Sequence, residues 1–83
     1  MKDRSRWEII LDLLQVTQGE GKAKKTRIMQ KTNLDWRNFG RYFDFLLEEG
    51  FLSESNHDEG YYGITKNGEI LVRKLKDVKE MLH

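Results

Sequence analysis

The sequence contains no cysteine and no long apolar segment. The absence of cysteine among its 83 residues excludes a disulfide framework and a thiolate zinc site. No apolar run approaches the roughly 18 residues that a membrane span needs, and the N-terminus lacks the apolar core of a signal peptide. We therefore expect a cytoplasmic protein with no membrane partner. A chain of this length builds one small core, so residues 1–83 are expected to form a single domain.

Groups that support catalysis are also scarce. The two histidines, His57 and His83, stand far apart in the sequence, and no glycine-rich phosphate loop is present. A metal site at His57, Asp58 and Glu59 is disfavoured because three adjacent loop residues converge poorly on one ion. A chain this short also has little room for a buried catalytic pocket. We expect no enzyme activity, no metal, no cofactor and no small-molecule ligand.

Positive charge is concentrated in the first half of the chain. The net charge is only +1, but residues 1–41 carry ten bases and five acids, whereas residues 42–83 carry five bases and nine acids. Between Lys22 and Arg41, seven bases accompany a single acid, Asp35. This clustering indicates a surface for an anionic partner.

The order of predicted elements is typical of a helix-turn-helix followed by a β-wing. Helices are predicted over residues 5–18, 26–32, 36–49 and 65–82, with strands over 51–55 and 61–64. The fold class is therefore mainly α with a small β-hairpin (α+β): a three-helix core plus a wing and a C-terminal helix. The helix-turn-helix spans about 24–49, the wing about 51–64, and a C-terminal dimerisation helix about 65–82.

Capping residues support these boundaries. Ser5 with Glu8 forms a capping box, and Asp35 and Thr65 are N-caps of the third and fourth helices. Thr26 is a candidate cap of the second helix, with a start one or two residues earlier left open. Asn33 at the turn and Gly50 after the third helix suit left-handed backbone.

The third helix has one apolar face and one charged face. Phe39, Phe43, Leu46 and Leu47 follow helical spacing toward a core. Arg37, Arg41, Asp44 and Glu48 lie on the opposite face. Phe45 also falls on the solvent side of this helix. The pattern offers no account of it, and a subunit contact or the flank of the wing could cover it.

The exposed start of the third helix carries the candidate base-reading residues, which are Trp36, Arg37, Asn38 and Arg41. Arginine binds the guanine edge in a bidentate manner, and asparagine binds adenine. The alternatives stay open at this point. The arginines could instead pair with Asp44 or Glu48, Asn38 could serve the helix start, and Trp36 could pack against the core.

Basic residues surround the start of the second helix, where free backbone N–H groups attract phosphate. The candidate phosphate-binding residues are Lys22, Lys24, Lys25, Thr26, Arg27 and Lys31. Contacts of this kind position a protein on a duplex without reading its sequence. The alternative is that these side chains serve only solubility.

The C-terminal helix carries an apolar stripe at heptad spacing, Leu71, Leu75, Val78 and Leu82. The first helix has an apolar surface wider than one core needs, which includes Ile9 and Leu13. We interpret these two surfaces as a joint homodimer interface. The alternative is that the stripe lies on the first helix of the same subunit.

Residues 24–29, 33–34, 44–52 and 62–68 together resemble the small archaeal winged helix-turn-helix regulators. They are also similar to the related archaeal chromatin proteins, which join a winged helix to a dimerising coiled coil. The resemblance implies double-stranded DNA as a partner and a homodimer as the usual assembly. The wing tip departs from the pattern, because Asp58 and Glu59 stand where a DNA-touching wing favours lysine or arginine.

These observations predict a sequence-specific DNA-binding protein. Its function would be transcriptional regulation, with helix 36–49 of each subunit in the major groove. Two alternatives remain. A nucleoid-type protein would bind with little specificity but normally has a strong positive net charge. A protein-interaction winged helix would instead offer its acidic half to a basic partner.

Overall fold

The computed structural model describes residues 5–82, which form four helices and a three-stranded antiparallel sheet. The elements are α1 (Arg6–Glu20), β1 (Lys22–Lys24), α2 (Lys25–Thr32), α3 (Trp36–Glu48), β2 (Leu52–Glu54), β3 (Tyr61–Ile64) and α4 (Lys66–Met81). The predicted mainly α fold with a β-wing is confirmed. No helix in this part of the chain is long and apolar enough to cross a membrane.

The first strand, β1, was not predicted from the sequence. It pairs with β3 so that Ala23 lies opposite Tyr62 and Lys24 lies opposite Tyr61, and the strand order is β1-β3-β2. A three-residue strand with one apolar side chain has too short a pattern to detect. It forms because β3 would otherwise leave one edge unpaired. The predicted two-stranded hairpin is therefore one part of a three-stranded sheet.

The extra strand also moves the start of α2. This helix begins at Lys25, and its N-cap is Lys24, which makes no side-chain capping bond. The prediction that Thr26 caps α2 is wrong, because Thr26 already lies inside the first turn. The first-turn N–H groups of α2 therefore lack a side-chain acceptor at the cap position.

The other predicted caps are confirmed. The Ser5 hydroxyl accepts from the Glu8 backbone N–H, and the Glu8 carboxylate accepts from the Ser5 backbone N–H. Asp35 caps α3 and Thr65 caps α4 through the same kind of bond. Asn33 ends α2 in the left-handed conformation with φ of 60°. Helix α1 runs two residues further than predicted and ends at Gly21, whose φ is 81°.

The core is built where α1, α2 and α3 meet the sheet. Phe43 stacks on Phe39 with ring centroids 5.2 Å apart and meets the edge of Tyr62 at 4.9 Å. Leu13 is fully buried in this core. Its predicted place on a surface between subunits is therefore wrong, because the side chain has no exposed area in the single subunit. The fully buried apolar side chains are Leu13, Leu14, Ile28, Phe39, Phe43, Leu46 and Leu52.

Helix α4 starts at a tight junction with the end of α3. The Thr65 backbone N–H donates to the Phe51 carbonyl at 3.0 Å, and the Thr65 hydroxyl donates to the Gly50 carbonyl at 2.6 Å. The same hydroxyl accepts from the Gly68 N–H at 3.1 Å. These bonds bring the first turn of α4 against the backbone before β2. Gly68 is buried there, and this helix position has no room for a larger residue.

We expect Gly68→Ala to destabilise the protein by about 2–3 kcal/mol. A Cβ at this position would overlap the Phe51 carbonyl oxygen and lie 2.6 Å from Ile64 Cγ1, so the backbone would have to move. The measurement is urea unfolding followed by circular dichroism. The matched control is Gly40→Ala inside α3, where an added Cβ meets nothing within 4 Å. The control should raise the free energy of unfolding by roughly 0.5–1 kcal/mol, because alanine has a higher helix propensity than glycine. Equal stabilities for the two variants would contradict this description of the junction.

Candidate functional site

The exposed face of α3 presents two arginines that have no acidic partner among residues 5–82. Phe39 and Phe43 are buried, which turns the opposite side of the helix to solvent. Arg37 and Arg41 lie there, one helical turn apart and exposed. Neither forms an ion pair within residues 5–82, so their predicted alternative pairing with Asp44 or Glu48 is absent from that part of the chain. Both guanidinium groups are available to a ligand.

The first turn of α3 is held by its cap. The Asp35 carboxylate accepts from the Asn38 backbone N–H at 2.8 Å and from the Asn38 side-chain amide at 3.1 Å. Asn38 therefore serves the helix start, and one amide hydrogen and its carbonyl oxygen remain for another contact. Trp36 is 76% exposed. The alternative in which its ring packs against the core is wrong.

Two bases of α2, Arg27 and Lys31, share one acidic side chain. Arg27 Nε lies 3.4 Å from Glu20 Oε1, and Lys31 Nζ lies 4.0 Å from Glu20 Oε2. Glu20 is the last residue of α1, so the pairing depends on how α1 packs beside α2. These two bases are therefore less free than their spacing in the sequence indicates.

The bases at the start of α2 also meet acids that are distant in sequence. Lys22 Nζ pairs with Asp58 Oδ2 of the wing at 3.1 Å, and Lys25 Nζ lies 4.0 Å from Asp44 Oδ1. Lys24 instead lies over the Tyr61 ring, 5.7 Å from its centroid. Each of these ion pairs is exposed on both sides, and such pairs contribute about 0–1 kcal/mol. An incoming phosphate can therefore replace the carboxylate at low cost.

The wing tip is ordered by its own hydrogen bonds. The Glu54 carboxylate accepts from the Gly60 N–H at 2.7 Å, and the Ser55 hydroxyl accepts from the N–H groups of His57 and Asp58, both at 3.2 Å. His57 is exposed. Within residues 5–82, no group of three histidine, aspartate or glutamate side chains is arranged to hold a metal ion. His83 lies outside the described residues.

The stripe on α4 divides into two parts. Leu71 and Leu75 are half-buried and pack against the core of their own subunit. Val78 is 40% exposed and Leu82 is 71% exposed. Ile9 on α1 is half-buried and is not among the side chains packed on the core. The first half of the stripe therefore follows the single-subunit alternative, while the second half remains uncovered.

An open groove between α1 and α3 was not predicted. Its lining residues are Arg6, Ile10, Arg41, Tyr42 and Phe45. Phe45, which the sequence pattern left unexplained, is 43% exposed on this lining. Sequence reasoning missed Arg6 because it lies on α1, far along the chain from Arg41, and no local pattern connects the two.

Residues 3–83 match the family model described as winged helix-turn-helix. This chain belongs to the winged helix-turn-helix family. The resemblance identified from residues 24–68 is thereby confirmed, and the arrangement of α2, α3 and the β2–β3 wing agrees with it.

Relatives of this winged helix include two uncharacterized proteins of Methanocaldococcus jannaschii. One is 38% identical over 80 residues, and the match covers 96% of this chain and 78% of the relative. The other is 32% identical over 80 residues, and the match covers 96% of this chain but only 36% of the relative. The second relative is thus much longer than this winged helix.

A solved structure shares the fold over nearly the whole chain. It is the crystal structure of Sso10a-2, a DNA-binding protein from Sulfolobus solfataricus. The TM-score is 0.78 at 26% sequence identity, and the match covers 94% of this chain and 81% of Sso10a-2. This similarity extends beyond the helix-turn-helix to most of the winged helix.

Because the cap at Asp35 holds the start of α3, we expect Asp35→Ala to lower the free energy of unfolding by about 1 kcal/mol. The control is Asn38→Ala, which keeps the backbone N–H that donates to Asp35 and removes only the side-chain bond. Asn38→Ala should lower the free energy of unfolding by less than half as much as Asp35→Ala does. Chemical denaturation of both variants measures the difference. A larger loss in Asn38→Ala than in Asp35→Ala would show that the side-chain bond, and not the cap, holds this turn.

Proposed function

We propose that this winged helix binds double-stranded DNA, with α3 in the major groove. The observation that carries the proposal is the pair of exposed arginines, Arg37 and Arg41, which have no acidic partner within residues 5–82 and lie near the N-terminal end of α3. Recognition helices contact base edges with their N-terminal residues. The fold shared with Sso10a-2, a DNA-binding protein, supports the same function.

Phosphate contacts come from the start of α2 in this proposal. The first turn of α2 has no side-chain cap, so its backbone N–H groups are open to a phosphate oxygen. Lys24 is the N-cap that precedes this turn, and Lys25, Thr26 and Arg27 lie within it. In this proposal, the carboxylates that pair with Lys22, Lys25, Arg27 and Lys31 are exchanged for phosphates on binding. These contacts set the position of the protein on the duplex.

Sequence recognition rests on the two arginines. Each can bind O6 and N7 of a guanine in the major groove, which discriminates by about 1–3 kcal/mol against another base. Asn38 keeps one amide hydrogen and its carbonyl oxygen for an adenine edge while it holds the Asp35 cap. Trp36, with its exposed ring, lies beside them at the start of the helix. The proposed role is therefore a sequence-specific transcriptional regulator.

We further propose that the protein acts as a homodimer through the uncovered end of α4. Val78 and Leu82 continue the stripe of Leu71 and Leu75 and remain 40% and 71% exposed. Pairing two such ends would bury apolar area that water otherwise contacts. Ile9, half-buried on α1, would lie at the margin of this interface. A two-fold dimer would present two α3 helices to successive major grooves, about 34 Å apart on a palindromic site.

DNA binding is tested by titration of a random-sequence duplex with the labelled protein. We expect binding at 50 mM salt that weakens at 200 mM, with log K falling against log salt at a slope of roughly −5 to −7 for a dimer with six to eight phosphate contacts. The largest backbone amide shifts should fall on residues 24–31 and 36–41. An absence of shifts at 50 mM salt would contradict the proposal and direct the search to protein partners of the acidic half.

Two variants separate the roles within this face. Lys24→Ala combined with Lys25→Ala should weaken binding equally on all duplexes, because both contacts are to phosphate. Arg37→Ala should instead reduce the preference for the selected site by about 1–3 kcal/mol. Fluorescence anisotropy on specific and random duplexes measures both effects. Unchanged binding by the double variant would exclude the start of α2 from the interface.

The dimer is tested by analytical ultracentrifugation of Val78→Asp and Leu82→Asp. Each places a charge on the proposed interface, so we expect a monomer where the parent protein is a dimer. The control is Met81→Asp, which adds the same charge to a side chain that is 83% exposed and lies off the stripe. The control should remain a dimer. A monomeric parent protein at micromolar concentration would contradict the assignment of this surface.

A further inference from the structure

The groove between α1 and α3 combines an apolar floor with two positive borders. Ile10, Tyr42 and Phe45 supply the apolar part, and Arg6 and Arg41 supply the guanidinium groups. Neither arginine has an ion pair within residues 5–82. Among residues 5–82, no acidic side chain lines the groove. This is a different electrostatic environment from the start of α2, where acids and bases alternate.

Two guanidinium groups on one groove favour an extended anion over a small one. Arg6 on α1 and Arg41 on α3 both line the groove. A single carboxylate or phosphate that paired with one of them would leave the other without an anion. A nucleic-acid strand carries a phosphate at every nucleotide and apolar deoxyribose carbons between phosphates. The groove combines two arginines with the apolar side chains of Ile10 and Phe45 in the same way.

The groove is also continuous with the face that would enter the major groove. Arg41 belongs to both, and Phe45 follows it by one helical turn, so the two side chains are neighbours along α3. A duplex that contacts Arg37 and Arg41 at its base edges therefore brings one of its strands along this flank of α3. The strand then lies against Phe45 on α3 and Arg6 on α1.

We propose that this groove seats the sugar–phosphate backbone of one DNA strand, with Arg6 bound to a phosphate and with Phe45 and Ile10 packed on deoxyribose carbons. The proposal rests on the proposed DNA binding and adds α1 to the interface. It assigns Arg6 as a phosphate-binding residue outside the helix-turn-helix. It also gives the exposed ring of Phe45 a function, since packing on sugar carbons would remove it from water.

The test compares groove variants with matched controls on one random-sequence duplex by fluorescence anisotropy, at salt concentrations between 50 and 200 mM. Arg6→Gln should weaken binding about fivefold and make the salt slope shallower by about 1 per subunit, because one phosphate contact is lost. Arg73→Gln removes an exposed base from α4 instead. This control should bind as the parent protein does.

Phe45→Ala should weaken binding about three- to fivefold without changing the salt slope, since the lost contact is apolar. Phe45→Leu keeps most of the apolar surface and should recover most of the affinity. Thermal unfolding of each variant shows whether it is folded at the assay temperature. If Phe45→Ala is not folded, a second measurement on the parent protein replaces its affinity as the test. This measurement is the NMR shift of the Ile10 methyl group when the duplex is added. A shift there supports the groove contact.

The outcomes separate the groove from the broader function. If the parent protein binds DNA but Arg6→Gln and Phe45→Ala bind equally well, the groove contact is overturned and the DNA-binding proposal stands. An Ile10 methyl that does not shift while residues 24–31 do would overturn it as well. If the parent protein binds no duplex at 50 mM salt, both proposals fall together.

Discussion

Phe43 is completely buried, stacks on Phe39 and meets the edge of Tyr62, and this aromatic contact sets how α3 is turned about its axis. Because the two phenyl rings lie one helical turn apart, the rotation of the whole helix is determined by their burial. The arginines on the opposite side are then exposed as a consequence of core packing. The cap at Asp35 determines where along the axis that exposed face begins.

The same packing gives the protein a more balanced surface than its sequence suggests. Seven bases between Lys22 and Arg41 accompany one acid in the sequence, but the fold brings Glu20, Asp44 and Asp58 to four of them. The pairs of Asp44 and Asp58 are exposed on both sides, and such pairs are weak and sensitive to salt. In the proposed complex a phosphate backbone would compete with carboxylates for these bases, while Arg37 and Arg41 have no such competitor within residues 5–82.

The apolar surfaces left outside the core divide by location. The end of α4 exposes Val78 and Leu82, and these side chains suit a second subunit. The groove beside α3 is bordered by arginines and suits a nucleic-acid strand. The end of α4 and the groove beside α3 therefore have different proposed partners. The two surfaces share no side chain, so both partners could bind at the same time.

The amino-acid sequence was sufficient for the helices, for the caps of α1, α3 and α4, and for the wing, because each depends on residues close together in the chain. Ser5, Asp35 and Thr65 are local signals, and the spacing of Phe39, Phe43 and Leu46 identifies the buried face of α3. Strand β1, the three acidic partners and the groove at Arg6 were not accessible in this way. Each is formed by segments distant in the chain, whose contact depends on the packing of α1 and the edge of β3. Short-range sequence patterns contain no information on such long-range contacts. Only the folded structure therefore shows β1, the acidic partners and the groove.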